Sequence, residues 1–185
     1  MVRISEAITD DHRKLESLYE TIVNSEDADE QTRFQNQFTW ELARHAVAEE
    51  LVVHPAIEKV LPDGSETTDR DRREHSTIKE MLNVFQDLNC SDARFLPTIT
   101  VLMEGLTQHM SDETIELANL DSYLGLEESE QLAESLESTK MFVPSMSHPE
   151  IPNTPYETIT GLLAAPLDHL QDMFKKWPEK ESPME

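Results

Sequence analysis

Phe38-Thr39-Trp40-Glu41-Leu42-Ala43-Arg44-His45-Ala46-Val47-Ala48-Glu49-Glu50-Leu51-Val52 is the stretch whose reading decides the fold. Phe38, Leu42 and Val52 fall on one helical face, and His45 and Glu49 lie between Leu42 and Val52 in phase with them. Residues four apart share a helix face. A helix that buries Phe38 and Leu42 therefore also buries an imidazole and a carboxylate, and buried polar groups of that kind need partners. The segment extends over about residues 30–60, with Phe34 and Ala56 on the same stripe. Pro55 is expected to kink or shorten it. Leu61-Pro62-Asp63-Gly64 reads as the turn that closes it.

Working outward, three more segments repeat the pattern. The first helix spans about 4–24 and carries Ile4, Ile8, Leu15, Leu18 and Ile22, with His12 in phase between Ile8 and Leu15. The third, about 69–88, carries Ile78, Leu82, Phe85 and Leu88, with His75 opening the stripe. The fourth, about 93–123, carries Phe95, Ile99, Leu102, Leu106, Leu117 and Leu120, with His109 and Glu113 between Leu106 and Leu117. Pro97 falls in its first turn, where it is tolerated. Short polar links, 25–29 and 89–92, join neighbours. The expectation is an all-α, antiparallel up-down four-helix bundle over residues 1–125.

Residues 126–185 form a C-terminal extension expected to pack on the bundle. Residues 127–140 read as an acidic, weakly amphipathic helix. A strap over 144–155 holds four prolines, and apolar periodicity returns over 161–177 as a short terminal helix.

Each bundle helix thus points a metal-capable group inward, and two of them add a carboxylate. Bringing a carboxylate into an apolar interior costs several kcal/mol, and two at one level repel each other. The stripes offer no arginine to relieve this. A pair of bound cations would relieve it and use the imidazole lone pairs. With 38 acidic residues in 185, about one histidine in five has an acidic residue four positions on by chance. Two such pairs on alternate helices, both in core phase, with lone core histidines on the other two, are a far more selective pattern. The candidate metal ligands are His12, His45, Glu49, His75, His109 and Glu113. Imidazole and carboxylate suit iron, manganese, zinc or copper, whereas magnesium and calcium prefer oxygen shells. Six ligands exceed what one tetrahedral zinc takes and match two metals. The Glu-x-x-His pairs of ferritin-type sites are absent.

The composition agrees. Hydrophobic residues make up 37% and there are four glycines, too few for the turns of an all-β chain. The formal net charge of −23 repels nucleic acid and anionic lipid, so neither is an expected partner. The single cysteine, Cys90, fits a reducing compartment. No secretory leader or membrane span is visible, and a cytoplasmic protein is the expectation.

The motifs Asp11-His12-Arg13-Lys14-Leu15, His45-Ala46-Val47-Ala48-Glu49-Glu50-Leu51, Glu74-His75-Ser76-Thr77-Ile78 and His109-Met110-Ser111-Asp112-Glu113 resemble the hemerythrin-like HHE cation-binding family over about residues 4–125. The resemblance implies two iron ions, with manganese or zinc less favoured. It implies that His12 and His45 share one metal, that His75 and His109 share the other, and that Glu49 and Glu113 bridge. The tail from His148-Pro149 to Pro166 looks like that of fungal members. Oxygen-carrying hemerythrins have a second histidine one turn after the third-helix ligand, where this chain has Lys79. The second metal then has an open or substituted position, with Glu116, Glu50, Glu74 and Glu80 as candidates to fill it. The expected function is handling of dioxygen, peroxide or a related small oxidant, by sensing, storage or scavenging. The alternative is a di-iron oxidase or oxygenase acting on a small organic substrate at that position.

His54 reads as a packing or solvent-edge residue, His148 and His169 as surface residues of the tail, and Cys90 as a bystander thiol. Met81, Met103, Met110 and Met173 read as fillers, and Trp40 and Trp177 as shields of the bundle surface.

Overall fold

A computed structural model gives the fold and describes residues 2–147, 165–173 and 175–179. Helices α1 (Ile4–Asn24), α2 (Ala28–Val60), α3 (Gly64–Gln86) and α4 (Phe95–Tyr123) form the bundle, with α1 and α4 closing the ring. Helix α5 (Leu126–Lys140) packs across α2 and α1, and the eight-residue α6 (Ala165–Asp172) follows in the tail. There is no strand among the described residues, and none of their helices is long and apolar enough to cross a membrane. The expected strap from 148 onward, the stretch 161–164, His148 and Phe174 lie outside the described residues.

The core comes in two halves. One gathers Leu15, Leu18 and Ile22 of α1 with Phe38 and Leu42 of α2, Ile78, Leu82 and Phe85 of α3, and Phe95 to Met110 of α4. The other gathers Ile4 and Ile8 with Val53 and Ile57, Leu117 and Leu120, and Ala133 and Leu136 of α5. Late α1 thus meets early α2, and late α3 meets early α4, as antiparallel neighbours must. Between the halves lies a layer of buried polar side chains.

Three boundaries differ from the sequence reading. Helix α3 begins at Gly64 rather than near 69, because its buried stripe, Gly64, Thr68, Asp71, His75, Ile78, Leu82 and Phe85, is polar in its first half. Apolar periodicity has nothing to register there. A Cβ on Gly64 would lie 2.3 Å from the Ile57 carbonyl oxygen, so glycine is what lets α3 start against α2. Helix α2 is not shortened at Pro55. The ring lies on the exposed face, where water can serve the carbonyl it leaves unpaired. In the second half of α2 the buried stripe is Val53 and Ile57, with Val52 and Ala56 only half-buried, since four-residue steps from His45 and Glu49 carry it there.

The tail is tied down by named contacts. Trp177 meets Trp40 edge-on at 6.1 Å, and Arg33 donates to the Trp177 carbonyl at 2.8 Å. Asp168 of α6 accepts from the backbone N–H groups of Ser145 and Met146, both at 3.1 Å. His169, half-buried, bonds the Val143 carbonyl at 3.1 Å. Met103 and Met110 are core residues, Met81 packs at the core's edge, and Met173 is exposed. Cys90 is half-buried, its Sγ 3.4 Å from the Ala28 carbonyl.

Candidate metal centre

All six predicted residues are buried and converge on the polar layer. Ligand atoms of His12, His45, Glu49 and Glu113 lie within 4.8 Å of one another, as do those of Glu49, His75 and His109. Glu49 belongs to both groups. One of its oxygens lies 3.0 Å from His45 Nε2 and the other 3.5 Å from His75 Nε2. Glu113 Oε2 lies 3.2 Å from His12 Nε2 and 3.9 Å from His109 Nε2. The His12 and His45 rings sit 5.2 Å apart, and those of His75 and His109 4.8 Å. The layer therefore divides into two histidine pairs with a carboxylate between them on each side.

Three histidines are oriented from behind. His45 Nδ1 donates to Asp11 at 3.1 Å, His75 Nδ1 to Glu50 at 3.0 Å, and His109 Nδ1 to Glu74 at 2.7 Å. An ionised carboxylate only accepts, so each contact fixes the tautomer and leaves Nε2 facing the layer. The three acids share a placement: Asp11 precedes His12, Glu50 follows Glu49 and Glu74 precedes His75. Each flanks an in-phase residue on its own helix and serves the histidine of the next helix. Sequence reasoning passed over Asp11 and took Glu50 and Glu74 as substitute ligands. The signal was the acidic neighbour beside each in-phase residue.

The remaining substitutes are occupied elsewhere. Glu116 pairs with Arg70, which also approaches Asp71 at 3.4 Å and Glu74 at 3.9 Å, and Glu80 is exposed. The missing arginine thus exists, reaching in from the rim rather than from a stripe. Asp71, buried one turn before His75, is a further carboxylate that sequence reasoning missed; it groups with Glu74 and His109. Burial pushes its carboxyl up to about 6. His54 is fully inside the protein, its ring 5.5 Å from His75, and belongs to neither ligand group.

The electrostatics are those of a site short of positive charge. Burial, and then Glu113, push Glu49 well above the usual carboxylate range. Burial also acts to raise Glu113, but His12 and then His109 outweigh it and hold that carboxyl low. Burial lowers His45. Burial, then His75, lower His109 to about 4. Burial opposes charge on His75 too, yet its bond to Glu50 leaves it raised. His75 Nε2 and His109 Nε2 face each other at 3.1 Å while both Nδ1 atoms are committed to carboxylates. Two lone pairs at that distance require a proton or a cation between them. Five more buried atoms of the layer, His12 Nε2, His45 Nε2, both Glu49 oxygens and Glu113 Oε2, have no hydrogen-bond partner. Such groups are rare in folded proteins unless something else satisfies them. The donor set fits a metal pair.

Beside His75 a cavity of about 40 Å³ opens between α2 and α3, lined by Leu42, Ala46, Val47, Glu50, Lys79 and Met146. Ser147 covers it, its hydroxyl donating to the Lys79 carbonyl at 2.5 Å and its N–H to Gln86 at 2.9 Å.

Residues 3–120 match the family described as the hemerythrin HHE cation binding domain. An uncharacterized hemerythrin-like protein of Schizosaccharomyces pombe is 50% identical over 181 residues, covering 96% of this chain and 89% of the relative. A DNA nickase of Nostoc is 26% identical over 140 residues, 75% of this chain but 39% of that protein. No solved structure matches.

Proposed function

The chain belongs to the hemerythrin HHE cation-binding family, and from that premise we propose that it is a non-haem di-iron protein that handles dioxygen, peroxide or a related small oxidant. The observation that carries the reading is the set of unpartnered buried Nε2 and carboxylate oxygen atoms converging between two histidine pairs. His12 and His45 would hold one iron, His75 and His109 the other, with Glu49 and Glu113 placed to contact both. Iron there would supply electrons to, and accept them from, the bound oxidant. Asp11, Glu50 and Glu74 keep three imidazoles in the ligating tautomer.

The cavity supports a small ligand. At about 40 Å³ it has room for a few water-sized molecules, one of which needs roughly 10–15 Å³ on the same measure. Organic ligands occupy sites of about 300 Å³ or more, so oxidation of an organic substrate is the weaker reading. Lys79 lines this cavity, at the position where an oxygen carrier has a further histidine. The nickase relationship suggests no nucleic-acid partner, because a net charge of −23 opposes a polyanion.

Anaerobic Fe(II) loading followed by metal analysis tests this. The expected result is two iron ions per chain and a change in the near-ultraviolet spectrum on admitting air. Fewer than two, or a Glu49→Ala/Glu113→Ala variant as metal-rich as the parent, overturns it.

A further inference from the structure

We propose that Lys140, on α5 and beyond the residues 3–120 that match the family, is a positioning residue for the metal centre: by clasping Asp11 it sets the tautomer of His45 and ties the His12–His45 position to the C-terminal extension. The proposal rests on the two-metal reading above.

Lys140 is buried, with Nζ 2.9 and 2.7 Å from the two oxygens of Asp11 and 2.6 Å from Glu137. Its main chain is held as well. Arg44 donates to the Lys140 carbonyl, and the Arg44 guanidinium lies 3.6 Å over the Trp40 ring. An ammonium taken out of water is costly unless its partners are well placed, and here both oxygens of one carboxylate meet it. That same carboxylate accepts from His45 Nδ1 at 3.1 Å. A carboxylate facing an ammonium with both oxygens has no proton to give, so His45 Nδ1 must be the donor. The lone pair is thereby placed on Nε2, which faces Glu49 at 3.0 Å and has no hydrogen-bond partner. Glu50 and Glu74 do the corresponding work for His75 and His109 from α2 and α3. For His45 the acid is Asp11 of α1, and it alone of the three is clasped by a lysine of α5. A lysine that merely fastened α5 to α1 would affect melting but not one imidazole in particular.

The test titrates Co²⁺ anaerobically into metal-free protein, following the visible absorption, and records the histidine ring nitrogens by long-range ¹H–¹⁵N NMR without metal. The parent and Lys140→Arg are expected to take two equivalents, with His45 a single Nδ1–H tautomer. Lys140→Met, which keeps the stem, is expected to bind one of the two about 10–100-fold more weakly and to lose that single tautomer. Should it not fold, Lys140→Gln replaces it. Two unchanged equivalents with an unchanged His45, or equal weakening of both, overturns the proposal. If the parent itself takes fewer than two, the two-metal reading fails, and Lys140 is judged on the His45 tautomer alone.

Discussion

Burial pushes Glu49 well above the usual carboxylate range, and Glu113 beside it pushes in the same direction. A carboxyl whose pKa is raised by folding contributes its stability below the unfolded value. That contribution is lost as pH rises through the folded value. Glu49→Gln removes the group that must ionise and keeps its volume. The metal-free variant is therefore expected to melt higher than the parent at pH 8, by about 5 °C on the scale of a buried charge penalty. The gap closes below about pH 4, where Glu49 is protonated in both states. Circular-dichroism melts in chelator across that range check it, and a parent that melts higher at pH 8 counts against it. Protons held in the layer must leave when metal enters. The His75–His109 pair needs one between its facing Nε2 atoms in the metal-free layer, so Zn²⁺ loading at pH 7 is expected to release at least about one per chain. An indicator-dye titration that detects none contradicts this.

At the scale of elements, the α2–α3 corner is a joint with no room for a side chain at Gly64. Gly64 opens α3 with its Cα against Ile57 and Glu58, closer than any side chain permits. Nearby, Thr68 donates to Glu58 at 2.7 Å, and Arg72 reaches the same carboxylate at 2.7 Å. The corner thus adds a close backbone approach and polar contacts to the buried apolar side chains of Ile57 and Leu61. Gly64→Ala forces α2 and α3 apart by a backbone clash. The expected cost is about 2–3 kcal/mol, a fall in melting temperature of about 5–10 °C. Displacement of α3 also moves His75, so metal affinity should drop in the same variant. A variant with unchanged melting would show that the corner gives way freely.

For the molecule as a whole, the polar layer interrupts one hydrophobic core and makes it two. Each half is well packed, but the metal-free layer between them holds buried atoms without hydrogen-bond partners. Metal that binds only the folded state stabilises by mass action, about 4 kcal/mol at a thousand times Kd. Zn²⁺ loading is accordingly expected to raise the melting temperature by about 10 °C, and a chelator to reverse it. Calorimetry with and without metal checks this, and equal melts would mean that the layer is satisfied without a cation.

The sequence alone determined the helices, their order and the six converging residues, because all of these follow from one helical period. His12, His45, Glu49, His75, His109 and Glu113 each replace an apolar residue in phase, and a 3.6-residue repeat aims them at the same core whatever the details of packing. Periodicity failed where the buried stripe turns polar, as at Thr68 and Asp71 of α3, since burial there leaves no apolar signature. The supporting residues were beyond it as well. Asp11, Glu50 and Glu74 each act on the neighbouring helix, and Lys140 reaches Asp11 from 129 positions away. Contacts of that kind depend on helix rotation, spacing and the docking of α5, which are set by the packing of whole faces. Only the tertiary structure decided which acid holds which histidine, and how narrow the opening beside His75 is.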